Sequence, residues 1–402
     1  MQERLTQYPA PDERLVHLLA RQNLKMARSA HAYVRGSTLE FYRWLKARRV
    51  AAAPVGPRVW ICGDCHVGNL GPVASADGSI DIQIRDLDQT VVGNPAHDLV
   101  RLALSLATAA RGSDLPGVTT AHMLEHMIEG YSRSLSNRRS GAAVQKPDAV
   151  RIVMRRAMSR TWKHLAEERL EDVEPNIPLG ERYWPLSKRE RKAVKSLFAE
   201  RPVQRLVTAL KSRKDDSPIR ILDAAYWMKG CSSLGRLRYA VLISVGKGSR
   251  PDNFCLIDIK EAVPAAAPRA PGSGMPRDNA QRVVSGARAL SPNLGQRMLA
   301  ARFLNRSVFL RELLPQDLKV EMDQLTREQA VRSAYYLAWV VGVAHARQMD
   351  AASRTAWRRM LARQHSKRLS APSWLWRSVV ELVASHELAY LEHCRRYALT
   401  QR

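Results

Sequence analysis

Apolar residues recur at helical spacing in the first part of the chain. The first run has its apolar positions at Leu15, Leu18, Leu19 and Met26. A second amphipathic run covers residues 39–50. The pattern therefore predicts a largely helical segment over residues 13–48, with a turn at residues 33–36 between the two runs.

Two short runs with the character of β-strands follow, over residues 59–62 and 80–84. The segment between them contains the turn-forming residues Gly71, Pro72, Asp77 and Gly78. From residue 96 to about residue 211 the apolar spacing is helical again. Polar residues that follow each strand are therefore predicted to lie on loops.

The pattern changes near residue 220. Three β-rich segments separated by glycine-containing turns predict a small antiparallel sheet, and they cover residues 221–228, 237–245 and 254–260. We expect three further elements, a proline-rich loop over residues 264–276, a helix over 279–290 and a strand over 307–313. A long helix follows, with one face formed by Val331, Ala334, Tyr335, Ala338, Val341, Gly342 and His345.

This order of elements predicts an α+β protein with two lobes. Residues 1–212 are expected to form the first part of a helical lobe, residues 213–320 a small β lobe, and residues 321–402 the helices that complete the helical lobe. A chain of 402 residues, 45% of them apolar, is long enough to bury a core in each lobe.

Composition narrows the class of protein. Because no apolar run approaches about 18 residues and the start lacks the apolar segment of a secretory signal, we expect a cytoplasmic protein without a membrane span. The five scattered cysteines predict reduced thiols. A formal charge of +26 attracts polyanions. Since these charges are dispersed and only 6% of residues are aromatic, nucleic acid is not the favoured partner.

The candidate chemistry lies in two segments, Cys62-Gly63-Asp64-Cys65-His66-Val67-Gly68-Asn69 and Arg85-Asp86-Leu87-Asp88. Phosphoryl transfer requires a carboxylate at the acceptor hydroxyl and hard oxygen ligands for Mg²⁺. We assign Asp64 as the base or acceptor-orienting carboxylate. Asn69 and Asp86 are the predicted metal ligands, with Asp88 as a further candidate. In the alternative reading, residues 63–64 are a plain turn and Asn69 caps a helix.

His66 joins Asp64 in this catalytic group, where we expect it to order the loop through hydrogen bonds. Arg35 is a candidate phosphate fork, although a salt bridge is the more common role of an arginine. Cys62 and Cys65 beside His66 also suggest zinc or redox chemistry, which is disfavoured because no second cysteine pair lies at ligand spacing. His345 is expected to be a hydrogen-bonded core residue.

A second group of candidates lies beyond the midpoint of the chain. The loop residues are Gly230, Ser232, Ser233 and Gly235, which precede a β-rich run. Lys260 ends an apolar strand about twenty-five residues later. A glycine-rich loop, a hairpin and a strand lysine together can hold the phosphates of ATP. The alternatives are an ordinary hairpin and an edge-strand lysine in solvent.

The first segments resemble the aminoglycoside phosphotransferase and choline kinase branch of the kinase-like fold, since Gly93-Asn94-Pro95 and Asp98-Leu99 follow Asp86. The resemblance implies that Asp86 is the principal metal ligand and that Asp98 braces the catalytic loop. An acidic residue in the first turn of a helix is the alternative for Asp98. Because the nucleotide clamp here follows the catalytic loop, the resemblance implies a circularly permuted kinase-like chain.

A wider similarity, over about residues 25–350, is to the bacterial domain-of-unknown-function 2252 family. It is carried by residues 26–36, 61–71, 84–89, the loop at Gly230 and residues 258–262. This resemblance supports the site and implies no substrate. Kinases pair the strand lysine with a helix glutamate, but residues 277–290 contain none. Either Glu261 or another carboxylate substitutes, or the nucleotide is held differently.

Two functions remain open from the sequence. The favoured one is an ATP- and Mg²⁺-dependent phosphotransferase with an unidentified acceptor, in which nucleotidyl transfer is a variant. The other is a non-catalytic protein, either a pseudokinase or a polyanion-binding protein that uses the basic surface. The first requires Lys260 to face Asp64 and Asp86 across one crevice.

Overall fold

The computed structural model describes residues 8–47, 53–136, 144–170, 176–210, 212–214, 216–231, 234–247, 253–320, 325–362 and 371–397. Its helices are α1 (Arg14–Ala27), α2 (Ala30–Gly36), α3 (Thr38–Ala47), α4 (Pro95–Gly112), α5 (Gly117–Ser134), α6 (Asp148–Ser159), α7 (Trp162–Leu170), α8 (Lys188–Ala199), α9 (Arg201–Val207), α10 (Asn279–Leu290), α11 (Pro292–Gly295), α12 (Arg327–Ala346), α13 (Ala351–Ala362) and α14 (Ser373–Tyr397). Its strands are β1 (Val59–Ile61), β2 (Leu70–Ala74), β3 (Ile80–Ile84), β4 (Val91–Gly93), β5 (Tyr183–Trp184), β6 (Ile219–Trp227), β7 (Arg238–Val245), β8 (Phe254–Glu261), β9 (Met298–Phe303) and β10 (Arg306–Leu313). The protein is thus of the α+β class, as predicted.

The largest sheet has the strand order β5-β6-β7-β8-β10-β9, and every neighbouring pair is antiparallel. All eight residues of β7 are buried. Residues of α8 and α9 form a core on one face of the sheet, and residues of α7 form a second core with the sheet. Because both faces are covered, the central strands β7 and β8 are buried almost without interruption rather than at alternate residues. The predicted boundary near residue 213 stays a prediction, although β5, α8 and α9 already belong to this packing.

The rest of the described chain packs as helices around two short two-stranded antiparallel sheets. Strand β1 pairs with β4, and β2 pairs with β3. Helix α12 packs against α5 and α4, and it begins with a capping box of Thr326 and Gln329. Helix α4 begins at Pro95, and the Asn94 side chain accepts a hydrogen bond from the backbone N–H of Ala96 at 3.0 Å. No described helix combines the length and apolar character that crossing a lipid bilayer requires.

The predicted turn at residues 33–36 is wrong, because these residues end helix α2, which the side chain of Ser29 caps. The predicted connection at Gly71 and Pro72 is also wrong, because both lie in strand β2. The backbone N–H of Val320 donates to the carbonyl of Leu70, so a segment distant in sequence supports this strand. The helix over 279–290 and the three central strands are confirmed within two residues at each end.

Candidate active site

The β2–β3 hairpin brings Asn69 and Asp86 to the same end of a sheet. Leu70 pairs with Ile84, and the backbone N–H of Arg85 donates to the carbonyl of Asn69 at 2.8 Å. Asn69 therefore lies just before β2 and Asp86 just after its partner strand. The hairpin register, rather than the linear spacing, puts these two side chains on neighbouring chain segments.

Asp98 holds the loop that follows β1. Its carboxylate accepts the backbone N–H groups of Cys62 at 2.7 Å and Gly63 at 2.9 Å. His345 Nε2 lies 3.2 Å from the same carboxylate, and its Nδ1 lies 3.0 Å from the hydroxyl of Tyr131. The backbone hydrogen bonds expected of Asp98 are therefore present, and His345 is a hydrogen-bonded core residue that also contacts Asp98.

Gly63 allows this loop to turn sharply. Its φ angle is +75°, and a β-carbon at this position would lie 2.1 Å from the carbonyl oxygen of Gln89. The carbonyl of Gly63 accepts a hydrogen bond from the Tyr42 hydroxyl at 2.7 Å. A side chain at residue 63 would therefore displace the backbone on which Asp64 is mounted.

Asp64 forms a buried ion pair. Its Oδ1 accepts from Nε of Arg101 at 2.9 Å, and the Arg101 side chain is fully buried. Arg101 also donates to the carbonyl of Val34 at 2.6 Å, which fixes the guanidinium. The Asn69 amide donates to the backbone carbonyl of Asp64 at 2.8 Å. These contacts fix the orientation of the Asp64 carboxylate. The ion pair uses Oδ1, and Arg101 does not bind the other oxygen, Oδ2.

His66 is buried beside Asp64, and burial lowers its pKa to about 4. Its Nε2 lies 3.9 Å from Asp64 Oδ2, which exceeds hydrogen-bond distance. Nδ1 is buried and has no hydrogen-bond partner in the described part of the chain. The backbone carbonyl of His66 accepts from the N–H of Asn69 at 2.9 Å, which is a hydrogen bond within the loop. Ordering of the loop by the His66 ring stays a prediction.

Lys260 joins the two halves of the chain. Its side chain is 4% exposed, its ammonium forms an ion pair with Asp88 Oδ2, and Asp86 Oδ1 lies 3.6 Å away. The lysine therefore points at these carboxylates and not into solvent. Glu261 is occupied elsewhere, since it accepts from the backbone of Leu237 at 2.9 Å. The sequence left open whether Glu261 or another carboxylate pairs with Lys260. In the structure the partners are Asp86 and Asp88.

The pKa values of the two aspartates at this site shift in opposite directions. Burial raises the pKa of Asp88, and the nearby charge of Asp86 raises it further. Burial also opposes ionisation of Asp86, but Lys260 and Arg311 outweigh it and hold the pKa of Asp86 well below its usual range. The Asp86 side chain is 46% exposed, so water screens part of this effect.

Asp86, Asp88 and Asn69 carry carboxylate and amide oxygens, the atom type that a hard cation such as Mg²⁺ prefers. Asp88 Oδ1 is buried and has no hydrogen-bond partner among the described residues, so it is an oxygen that a cation would satisfy. No group of three or more His, Cys, Asp or Glu side chains in the described ranges is arranged to hold a metal ion. Mg²⁺ commonly uses only one or two carboxylates together with phosphate oxygens and water.

A second carboxylate network, which the sequence analysis missed, supports this site. Asp258 is fully buried and accepts from Arg238 Nε at 2.8 Å and Nη2 at 2.6 Å. Arg311 reaches the same carboxylate at 3.2 Å and donates to the carbonyl of Arg85 at 3.0 Å. The sequence signal that could have revealed this network is a charged residue among apolar neighbours, such as Asp258 in β8 and Arg101 in α4. The sequence does not show which residue each of them pairs with, because that depends on the fold.

Two of the four predicted loop residues, Gly230 and Gly235, lie in the described part of the chain. Gly230 and Gly235 both have positive φ angles, and Gly230 accepts a hydrogen bond from Lys25 of α1. A β-carbon at Gly235 would lie 3.1 Å from Leu15, so this glycine packs against α1. Ser232 and Ser233 lie outside the described residues. Their predicted contacts with nucleotide phosphates, and those of the two glycines, stay predictions.

Arg35 lies near the candidate catalytic loop. A β-carbon at Gly68 would lie 3.4 Å from its guanidinium carbon and 3.3 Å from the ring of His66. Arg35 forms no ion pair with any residue in the described ranges. The described residues therefore do not support the alternative that Arg35 forms a salt bridge. Phosphate binding by Arg35 stays a prediction.

These features define an α+β protein in which a buried strand lysine contacts two aspartates, Asp86 and Asp88, and a third aspartate, Asp64, is paired with a buried arginine. A family model with the description "Uncharacterized protein conserved in bacteria (DUF2252)" matches residues 14–396. The chain therefore belongs to the DUF2252 family. Neither the curated proteins nor the solved structures contain a match to this chain.

Proposed function

We propose that this protein is an ATP- and Mg²⁺-dependent phosphotransferase of kinase-like type that acts on a hydroxyl or similar acceptor. The observation that carries the proposal is the buried contact of Lys260, in β8, with Asp86 and Asp88, which follow β3. In kinases a strand lysine and a metal-binding aspartate meet at the nucleotide phosphates. The same two residue types converge here from opposite halves of the chain.

A permuted kinase-like architecture would explain the order of these parts. The strands β6, β7, β8, β9 and β10 with α10 would be the nucleotide-clamp lobe, and the helices around α4, α5 and α12 the second lobe. Permutation requires chain ends that can be joined. In support, the first and last helices of the described chain, α1 and α14, are neighbours in the fold, with Tyr390 donating to the carbonyl of Ala27 at 3.1 Å and His393 to that of Asn23 at 2.8 Å.

Each residue then has a distinct task. Lys260 would bind phosphate oxygens, and Asp86, Asp88 and Asn69 would hold Mg²⁺, which when bound neutralises charge on the transferred group. Asp64, whose Oδ1 is fixed by Arg101, would accept a hydrogen bond from the acceptor hydroxyl at Oδ2. Asp98 positions Asp64 by holding the loop backbone, without touching the reacting atoms.

Thermal denaturation with ATP and Mg²⁺ tests the binding half of this proposal. We expect ATP with Mg²⁺ to raise the melting temperature of the parent protein and to raise it less for Asp86→Asn. Asp81→Asn is the matched control, because Asp81 is an exposed carboxylate at the far end of strand β3. Failure of the parent to respond to ATP with either Mg²⁺ or Mn²⁺ would contradict the proposal.

Labelled nucleotides test the chemistry. Release or transfer of label from the γ-phosphate of ATP indicates a phosphotransferase, and transfer from the α-phosphate indicates a nucleotidyltransferase. We expect Asp64→Asn to abolish transfer while ATP still raises the melting temperature. Because this change breaks a buried ion pair, Asp64→Glu is the second variant. Stabilisation by ATP without any transfer would favour the pseudokinase alternative.

A further inference from the structure

A cavity lined by basic residues lies behind the candidate active site. It is a small cavity of about 30 Å³ between β2, the α6–α7 segment and the end of β10. Its cationic lining residues are Arg85, Arg160, Arg169, Lys229 and Arg311. The acidic lining residues are Glu168 and Asp317. Positive side chains therefore outnumber negative ones around this space.

The acidic residues do not cancel this charge. Asp317 is already paired with Arg297, whose Nη2 lies 2.9 and 3.0 Å from its carboxylate oxygens and whose side chain is 1% exposed. Glu168 is shared between Arg160 and Arg169. Glu168 therefore has to balance two lining arginines, and Asp317 balances Arg297, which is not a lining residue.

Three of the lining arginines retain hydrogen-bond donors without acceptors. The Nε atoms of Arg85, Arg160 and Arg169 are buried and have no hydrogen-bond partner in the part of the chain that the structure describes. Buried polar groups are normally satisfied, and leaving a charged donor unpaired costs free energy. Burial also lowers the pKa of Arg169 and Lys229. A bound anion would relieve both costs.

We propose that this cavity is a binding site for a phosphoryl group, either as inorganic phosphate or as part of a phosphate ester. Planar guanidinium groups suit the oxygens of such a dianion. The cavity adjoins the candidate active site, because Arg85 precedes Asp86 and its carbonyl accepts from Arg311. The inference does not require ATP hydrolysis or transfer, so it stands apart from the proposed function.

Calorimetric titration with sodium phosphate, against sodium chloride at matched ionic strength, tests the site. We expect phosphate binding that Arg169→Gln weakens by about tenfold, since a charge-assisted hydrogen bond is lost. Arg155→Gln is the matched control, because Arg155 is exposed on the adjacent helix α6 and the change removes the same charge. If Arg169→Gln does not fold, Arg160→Gln takes its place.

Each outcome decides the proposal. Equal weakening of phosphate binding by Arg169→Gln and Arg155→Gln would show an effect of net charge alone and would overturn the proposal. Equal heats of titration with phosphate and with chloride would also overturn it. Titration with glycerol phosphate and with AMP distinguishes the two sources, because a site for an ester binds one of them more tightly than inorganic phosphate. Phosphate binding that survives in Asp86→Asn, where the response to ATP and Mg²⁺ is reduced, separates this site from the proposed nucleotide site.

Discussion

Lys260 shows how one buried ammonium can govern its neighbours. It lies against Asp88, whose side chain is 13% exposed, and near the more exposed Asp86. Taking charges out of water is costly, and the pair is tolerated because each partner compensates the other. Removing only one partner leaves the other charge buried, so the two residues must be varied together to reveal their coupling.

We expect Lys260→Met to lower the free energy of unfolding by about 3 kcal/mol, because it leaves Asp88 uncompensated. The double variant Lys260→Met/Asp88→Asn should lose less than the sum of the two single variants. Urea denaturation at pH 7 measures both, with the exposed Lys188→Met as control. Additive losses would mean that the two side chains do not interact.

Two buried histidines make stability depend on pH. Burial lowers the pKa of both His66 and His386 to about 4, below the value of about 6.5 in an unfolded chain. Between these values the unfolded chain binds more protons than the folded protein. Stability therefore rises with pH through this window and is lost on acidification.

We expect the free energy of unfolding to fall by about 1 kcal/mol per pH unit for each histidine between about pH 6 and pH 4.5. His66→Gln should reduce this slope, and the exposed His17→Gln should leave it unchanged. Urea denaturation at several pH values gives the slope. An identical slope in His66→Gln and the parent would show that His66 titrates alike in both states.

At the scale of elements, close backbone approaches decide which positions must be glycine. Helices α5 and α12 meet at Gly130, where a β-carbon would lie 2.1 Å from the carbonyl oxygen of Tyr335. Because the obstacle is backbone, neither helix can yield by changing a rotamer. At Gly112, the last residue of α4, a β-carbon would meet no atom of the described chain within 4 Å.

Gly130→Ala should therefore lower the free energy of unfolding by about 2 kcal/mol through overpacking. Gly112→Ala should be neutral or raise it by about 0.5 to 1 kcal/mol, because alanine favours the helix more than glycine does. Thermal denaturation compares the two variants. Similar losses in both would show that helix propensity, and not the contact with α12, controls the effect.

At the scale of the whole molecule, a formal charge of +26 acts without regard to the site. Such a surface attracts any polyanion, and the attraction decreases as salt screens it. Non-specific nucleic-acid binding is therefore compatible with the phosphotransferase proposal and does not by itself argue for a nucleic-acid function.

We expect affinity for a random-sequence DNA duplex to fall at least about tenfold between about 50 and 200 mM salt, because bound counterions are released. Asp86→Asn should bind this duplex as the parent does. Fluorescence anisotropy with a labelled duplex provides the measurement. Affinity that does not change with salt would show recognition by contacts other than charge.

The sequence alone determined the α+β class, the central strands β6, β7 and β8, and the helices α10 and α12, because apolar periodicity reports local structure. It also singled out Lys260 and Asp86 as residues of interest. Strand β2 and the ion pair of Asp64 with Arg101 came only from the tertiary structure. Their partners are distant in sequence, and no local pattern records which distant group will fill a hydrogen bond or balance a buried charge.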